Sequence, residues 1–342
     1  MKPELTDVLG VGAGVAGLAC ARALSQAGAR TIVLERAAGV GGRCATRRVN
    51  GQPVDHGVLF LHGADPRFLA ALGGVDGAPA EGWPTRSSGA GPPCHPAAFR
   101  DGQRSIAYAD GVSVFPKHLA RGLDVRLRSN VRFVEPTGDG WRAVVADGST
   151  ILANRLFLTL PVESVLALLS SAPAARETLE RVEGPLSLLG TVPCLTTIAG
   201  YPPDAPEPSW HVAYPESSAV LQVASHDSSK RRSPASRVLV LQARPAWSLA
   251  HLEAEPASWG AAILEEAARL YGDWVRRPAW LQTHVWRRAR IAPSETLAGP
   301  LVVPCRGAGA LGLAGEAFDP AAGVEGAFLS GLALARVLSA EA

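Results

Sequence analysis

Lysine is nearly missing from this chain of 342 residues, which carries only Lys2, Lys117 and Lys230. An excess of either charge is missing too. Thirty-three basic against 31 acidic side chains leave a formal charge of +2, which excludes a dedicated nucleic-acid or membrane-surface binder. The five cysteines, Cys20, Cys44, Cys94, Cys194 and Cys305, are odd in number, widely spread and never arranged as C-x-x-C. That excludes a disulfide scaffold or a zinc finger and predicts a reducing compartment. No segment reaches the ~20 uninterrupted apolar residues of a membrane span. A core is not lacking. At 47% hydrophobic residues the chain excludes disorder as its default state, and its length predicts two sub-structures.

What the sequence does have is glycine in a particular place. The apolar run Asp7 to Val11 leads into Gly12-Ala13-Gly14-Val15-Ala16-Gly17, then an alanine- and leucine-rich helical pattern to about Ala27, with Gly28 at its end. A β-branched strand over 30–34 follows and ends in Glu35. Strand, glycine turn, helix, strand is the context that gives G-x-G-x-x-G its meaning. Gly12 permits the tight turn, Gly14 lets backbone N–H groups approach a pyrophosphate, and Gly17 lets the helix pack on the strand. The N-terminal turn of the helix, with Val15 and Ala16, aims its positive end at the phosphates. Glu35 can accept both ribose hydroxyls of an adenosine, and its charge would repel a 2′-phosphate. Gly10 departs from the bulky strand residue usual at that position. The same glycines, with Arg22 inside the apolar stretch, argue against a signal peptide over 8–24, so the expected location is cytoplasmic.

The residues after Glu35 separate FAD from NAD. Arg36-Ala37-Ala38-Gly39-Val40-Gly41-Gly42-Arg43 brings a second glycine-rich bend directly behind the ribose carboxylate. Its amides, with Arg36 and Arg43, can meet the pyrophosphate and ribityl portion of an extended FAD. At the other end of the chain, a glycine-rich strand over 310–315 runs into Glu316, and a helix is predicted from about Val324 to Leu338. Gly315 and Glu316 are expected at the ribityl chain. The helix start at Gly323, Val324, Glu325 and Ala327 would turn its dipole toward the flavin edge where negative charge develops. A second G-x-G-x-x-G match over 307–312 has no following helix and reads as a loop.

Gly41-Gly42-Arg43-Cys44-Ala45-Thr46-Arg47-Arg48, then Asp55-His56-Gly57, resembles the flavin amine oxidase superfamily, and within it the renalases and their bacterial relatives. The resemblance continues at 111–119, at Trp286-Arg287-Arg288-Ala289, at Leu313-Ala314-Gly315-Glu316-Ala317 and at Gly323-Val324-Glu325-Gly326-Ala327. It implies an α/β fold: a Rossmann-like FAD-binding domain with an inserted, mostly antiparallel substrate domain. Val131 is carried over as a further cofactor contact. It also implies an oxidase that takes hydride from dihydronicotinamide isomers onto FAD, with oxygen as the final acceptor and hydrogen peroxide as product.

Amine oxidation in this superfamily usually relies on a lysine near flavin N5. Lys2 precedes the first strand, Lys117 falls in a helical region and Lys230 lies in the exposed-looking run 228–232, so that chemistry is disfavoured. Hydride transfer from a dihydropyridine needs mainly positioning. No catalytic residue is assigned. Substrate-site candidates are His56, Phe60, Trp210, Trp286, Arg287 and Arg288, with Arg287, Arg288 and Arg290 forming an arginine-rich entrance for phosphates. A solvated basic strand end is the plainer reading of those arginines, core packing accounts for the tryptophans equally well, and His56 reads as a packing residue more than as a flavin attachment point. Cys94-His95 has no second pair at metal spacing, and no metal is expected. Val58-Leu59-Phe60 stands where relatives carry polar residues, which leaves room for a hydrophobic substrate.

The expected division is 1–72, 105–170 and 287–342 for the FAD-binding domain, and 73–104 and 171–286 for the substrate domain. Strand-like runs are expected at 125–134, 141–145, 156–160, 186–192, 210–214, 220–224, 238–243 and 280–286, with helices at 162–169 and 257–271. The expected partner is a small-molecule substrate, with no nucleic acid and no membrane, for a monomer or homodimer. An amine oxidase or desaturase of a small or secondary metabolite is the alternative, and a non-catalytic binding protein, as in the GDP-dissociation inhibitors, a third reading.

Overall fold

A computed structural model describes residues 3–76, 79–89, 99, 101–292, 296–305 and 309–340. The chain divides into two compact units, Met1–Gly42, Phe115–Thr191 and Ile291–Ala342 in one, Arg43–Val114 and Val192–Arg290 in the other.

The first unit is built on a parallel ladder. Strand β1 (Glu4–Val11) lies between β2 (Thr31–Leu34) and the strand Thr150–Leu158, parallel to both. Helix α1 (Val15–Gln26) makes the crossover, as the hydrophobic and glycine spacing predicts. Gly28 takes φ +91°, the left-handed value that suits glycine behind a helix end. The strand Asp124–Arg126 extends the sheet beside β2. An antiparallel meander, Val131–Thr137 and Gly140–Val145, extends it on the far side of Thr150–Leu158. Gly309–Leu313, late in the chain, joins Thr150–Leu158 in parallel. Gly10 has its reason here: a Cβ on it would lie 2.1 Å from the Phe157 ring on the neighbouring strand. The ring fills the volume a larger residue at position 10 would take.

The second unit centres on a six-stranded sheet running from the long strand Trp280–Ile291 through Thr191–Tyr201, Arg237–Ala243 and Leu221–His226. The helix Pro256–Tyr271 packs on this sheet through Trp259, Ile263, Leu264 and Ala267. The hairpin β3 (Thr46–Val49) and β4 (Gln52–Asp55) belongs to this unit as well.

The unit boundaries differ from the expected ones for a packing reason. The segments 43–72 and 105–114 fold with the second unit, because Asp55 is buried among Asp227, Lys230 and Arg231 and accepts Val112 N–H. Residues 171–191 stay with the first unit. There the run 186–192 is not a strand: a helix occupies Arg176–Ser187 and buries Thr178, Val182 and Leu186 at four-residue spacing. The strand begins only at Thr191. Two short strands, Pro79–Glu81 and Ser87–Ser88, lie in the stretch 73–96, which is rich in glycine, proline, alanine and serine.

Candidate functional site

The two glycine bends meet in the first unit. Gly14 and Gly41 form a bridge, Gly41 N–H donates to Ala13 O at 2.8 Å, and a Cβ on Gly42 would sit 3.7 Å from Gly14 Cα. Gly12 (φ +104°) turns the chain, and a Cβ on Gly17 would lie 2.1 Å from Gly12 O, so the helix approaches as closely as only glycine allows. Gly14 is different. A Cβ there would meet no protein atom within 4 Å, so the turn faces open space. No side chain caps α1, and the amides of its first turn, around Val15 and Ala16, are left for an anion.

Glu35 is held at this turn. Its carboxylate accepts Ala13 N–H at 2.9 Å and Ala37 N–H at 2.7 Å, and each oxygen keeps lone pairs for a ribose hydroxyl. Glu35 O accepts Ser129 N–H and Ala37 O accepts Arg128 N–H, which brings the segment leading to Val131 alongside. Arg36 is exposed at the rim.

The carboxy-terminal residues close on the same framework. The helix Gly323–Ala340 lies on α1, and a Cβ on Gly331 would fall 2.3 Å from Ala16 O. Ser330 Oγ donates to Gly315 O at 2.8 Å and accepts Gly315 N–H at 3.1 Å, fixing the turn before Glu316. Glu316 Oε1 accepts Ile291 N–H at 3.1 Å. Gly323 (φ +55°) opens the helix with no atom within 4 Å of a Cβ, while Val324 and Ala327 are partly buried and Glu325 is buried. Among the described residues this is the one helix long and apolar enough to cross a membrane, and half of it is buried in the structure.

Open glycine turns, an uncapped helix start and an oriented carboxylate are the donor and acceptor set that an adenine dinucleotide with a pyrophosphate requires. Residues 12–17, 35, 41–42, 131, 315–316 and 323–327 would hold it. Arg43 begins the second unit, where its guanidinium reaches Ala289 O at 3.5 Å and its carbonyl accepts Val58 N–H.

In the second unit, sequence reasoning misread Lys230. It is not exposed: its side chain is 0% accessible. Its ammonium bonds Asp55 Oδ2 at 2.9 Å, Asp227 Oδ1 at 2.6 Å and Leu59 O at 2.8 Å, with the Trp83 ring 4.8 Å away. Arg231 bonds the same two carboxylates at 3.0 and 2.8 Å. Thr46 Oγ1 and Val112 N–H complete the shell of Asp55, whose carboxyl is held down at about 2 by Lys230 and Arg231 against the opposing effect of burial. Asp227 lies 172 residues along the chain from Asp55, so no local pattern announces the quartet.

His56 and Trp286 do come together, at 5.3 Å between ring centroids, and His284 joins them at 4.8 and 4.3 Å. Trp286 Nε1 donates to His56 O at 3.0 Å. Arg47 Nη2 donates to His284 Nδ1 at 3.0 Å, which puts the proton of a neutral His284 on Nε2. His56 Nδ1 is buried with no hydrogen-bond partner among the described residues. Burial, with repulsion from His284 and Arg47, lowers its imidazole to about 4, so it is neutral at pH 7. Burial likewise lowers His284. Arg47 and His284 escaped sequence reasoning; the alternation Gln282, His284, Trp286 along one strand face was the available signal.

The other substrate candidates lie elsewhere. Phe60 is 1% exposed and packs in a core with Val54, Trp83 and Val240, and Leu59 joins it. Those two therefore belong to the core of this unit and do not form an apolar pocket wall. Trp210 is buried against Tyr271 at 4.8 Å. Arg287 points to the opposite strand face, where Glu253 holds it as an exposed ion pair, and Arg290 bonds Gln222 and Gln242. Arg288, also exposed, shares the strand face of His284 and Trp286 by alternation. Cys94-His95 and residues 307–308 lie outside the described residues. Among the described ones no group of three or more His, Cys, Asp or Glu could hold a metal.

Comparison with known proteins adds to this geometry. A family model described as an NAD(P)-binding Rossmann-like domain matches residues 11–73, and one described as flavin containing amine oxidoreductase matches residues 74–339. A flavin-containing monoamine oxidase, so named, of Mycobacterium tuberculosis is 46% identical over 68 residues, 20% of this chain and 15% of that protein. The all-trans-retinol 13,14-reductase of Homo sapiens is 39% identical over 71 residues, 20% of this chain and 12% of that protein. The matched stretch thus spans a small part of these relatives. Among solved structures, a putrescine oxidase variant superposes with a TM-score of 0.74 at 16% identity, covering 100% of both chains. The cyclohexylamine oxidase of Brevibacterium oxydans gives 0.72 at 12% identity, covering 98% of this chain and 99% of its own. These likenesses show the fold. The cofactor that fits the cradle is FAD.

Proposed function

The chain belongs to the family of flavin-containing amine oxidoreductases, and from that premise we propose that it is a renalase-like oxidase of dihydronicotinamide substrates, isomers of NAD(P)H. FAD, when bound, would supply the acceptor for the substrate's hydride, and its two electrons, with that hydrogen and one proton from solvent, would reduce dioxygen to hydrogen peroxide.

The observation that carries the choice of substrate is the state of the lysines. Lys230 is surrounded by two carboxylates and a carbonyl in the core of the second unit, and Lys117 is exposed on a short helix of the first. Neither offers an ammonium for the water-held lysine that amine oxidation in this superfamily uses. A dihydropyridine loses hydride without a base, so the chain needs only to bind and orient it. In this reading Glu35 and the two glycine bends anchor the adenosine and pyrophosphate. The start of the helix Gly323–Ala340 favours negative charge near the flavin by ~0.3–2 kcal/mol. Neutral His56 and His284, with Trp286, form an uncharged aromatic cluster against which the substrate ring can pack.

The alternative, an amine oxidase or desaturase, is favoured by the names of the matched relatives. Anaerobic mixing of the purified holoprotein with isomeric NADH, ordinary NADH and a panel of primary and secondary amines separates the two. Rapid bleaching by the isomeric dihydronicotinamides alone is the expected result. Bleaching by amines and not by those isomers would replace this reading with the alternative.

A further inference from the structure

Arg126, Arg142, Arg231, Arg276 and Arg287 each meet a carboxylate. Arg47 does not. It is partly buried on β3, and its partners are Gln282 Oε1 at 3.0 Å and His284 Nδ1 at 3.0 Å, both neutral. No ion pair to Arg47 exists among the described residues, and burial lowers its guanidinium with no acidic neighbour to offset that. Removing a cation from water without a counter-ion is unfavourable, and proteins seldom leave one so placed unless an anion arrives.

We propose that Arg47 is the anion-recognising residue of the substrate site, holding a phosphate group of the dinucleotide, with His284 and Gln282 fixing its orientation. This rests on the reading above and moves the phosphate contact from the arginines of the strand Trp280–Ile291 to the hairpin. The donor count supports it. Two N–H groups of the guanidinium fork are used on Gln282 and His284, and the rest have no partner among the described residues, so a pair of phosphate oxygens can be bound side by side. His284, accepting from Arg47 at Nδ1, carries its proton on Nε2 and adds a second donor. Trp286 uses its own N–H on His56 O and contributes a ring face. Gln282, His284 and Trp286 alternate along one strand, so anion contact and ring surface follow one another on the same face.

The test compares wild-type, Arg47→Met and Arg47→Lys holoproteins with isomeric NADH and with a phosphate-free N-methyl dihydronicotinamide isomer. The expected result is a rise in KM for the dinucleotide in Arg47→Met at least about tenfold larger than the rise for the phosphate-free compound, matching about 1.4 kcal/mol of lost phosphate contact. Part of it should return in Arg47→Lys. Equal penalties for both compounds, or no change in KM, would overturn the assignment. A second arm does not depend on the substrate reading: a saturable rise in melting temperature with inorganic pyrophosphate is expected in the wild type and is lost in Arg47→Met. A rise retained in that variant, or a rise with malonate and none with pyrophosphate, counts against a phosphate at Arg47. If no dihydronicotinamide bleaches the wild type, the proposed function fails, and the pyrophosphate arm still judges the subsite.

Discussion

Lys230 Nζ stands 2.9 Å from Asp55 Oδ2 with both side chains at 0% exposure, joining two segments of the second unit that are 175 residues apart. Asp227 and Arg231 close the quartet, and its two positive and two negative charges balance.

Removing one member leaves its partners charged and without solvent. Lys230→Met is expected to destabilise the protein by about 3–5 kcal/mol, because breaking a buried pair exposes the desolvation penalty of the remaining charge. Urea denaturation of wild type and variant measures it. A loss below about 1 kcal/mol would mean the quartet is not sealed from water.

The FAD cradle gives a cleaner separation of folding from binding. A Cβ on Gly14 would meet no atom within 4 Å beyond its chain neighbours, so Gly14→Val should leave the stability of the apoprotein within about 0.5 kcal/mol of wild type. It should nonetheless weaken FAD binding at least about tenfold, since the methyl groups occupy the space in front of the turn. Reconstitution of apoprotein with FAD, followed by flavin fluorescence, reads both. Unaltered FAD affinity would place the cofactor elsewhere.

His56 sets a pH dependence. Its folded-state pKa is lowered to about 4 from an ordinary 6.5, chiefly by burial, so the folded state binds fewer protons than the unfolded chain over that interval. Stability is therefore complete above pH 6.5 and falls as pH drops from 6.5 toward 4. Between pH 7 and pH 5 this one residue accounts for a loss of about 2 kcal/mol, because one extra proton bound by the unfolded chain costs about 1.36 kcal/mol for every pH step of one. A His56→Gln variant should show a shallower decline over the same range. Parallel curves for the two proteins would show that His56 is not the group responsible.

Gly10 and Phe157 form a size-matched pair. Gly10→Val should cost about 1–3 kcal/mol, because a Cβ would strike the Phe157 ring. Shrinking the ring in Gly10→Val/Phe157→Leu should return part of it, and a double-mutant cycle measures the coupling. Additive losses would mean the ring has room to move aside.

The parts of this molecule that could be read from sequence are those fixed by neighbours along the chain. Gly12, Gly14, Gly17 and Glu35 act within one turn and one strand: Gly12 is required by its left-handed φ, Gly17 by its contact with Gly12 O, and Gly14 by the space the turn leaves open. Gly10 looked like a weakness because its reason, Phe157, sits on another strand. Lys230 looked solvated for the same cause: the run 228–232 is polar, and one of its two counter-charges, Asp55, comes from a distant hairpin. The run 186–192 reads as apolar, with leucine at 186, 188 and 189, yet the helix that begins at Arg176, with Glu177 and Arg181 paired on its surface, carries on through Ser187. The arginines 287 and 288 drew notice by being consecutive. Arg47 carries the better case for recognition because of what its neighbours lack, which only the three-dimensional arrangement reveals.

The close approach of Gly331 to Ala16 O bears on how the holoprotein comes into being. The first turn of α1 is made more than three hundred residues before the helix that braces it. The glycine-rich turn is therefore synthesised long before its brace, and over that interval the nascent chain has to keep this segment from misassembly.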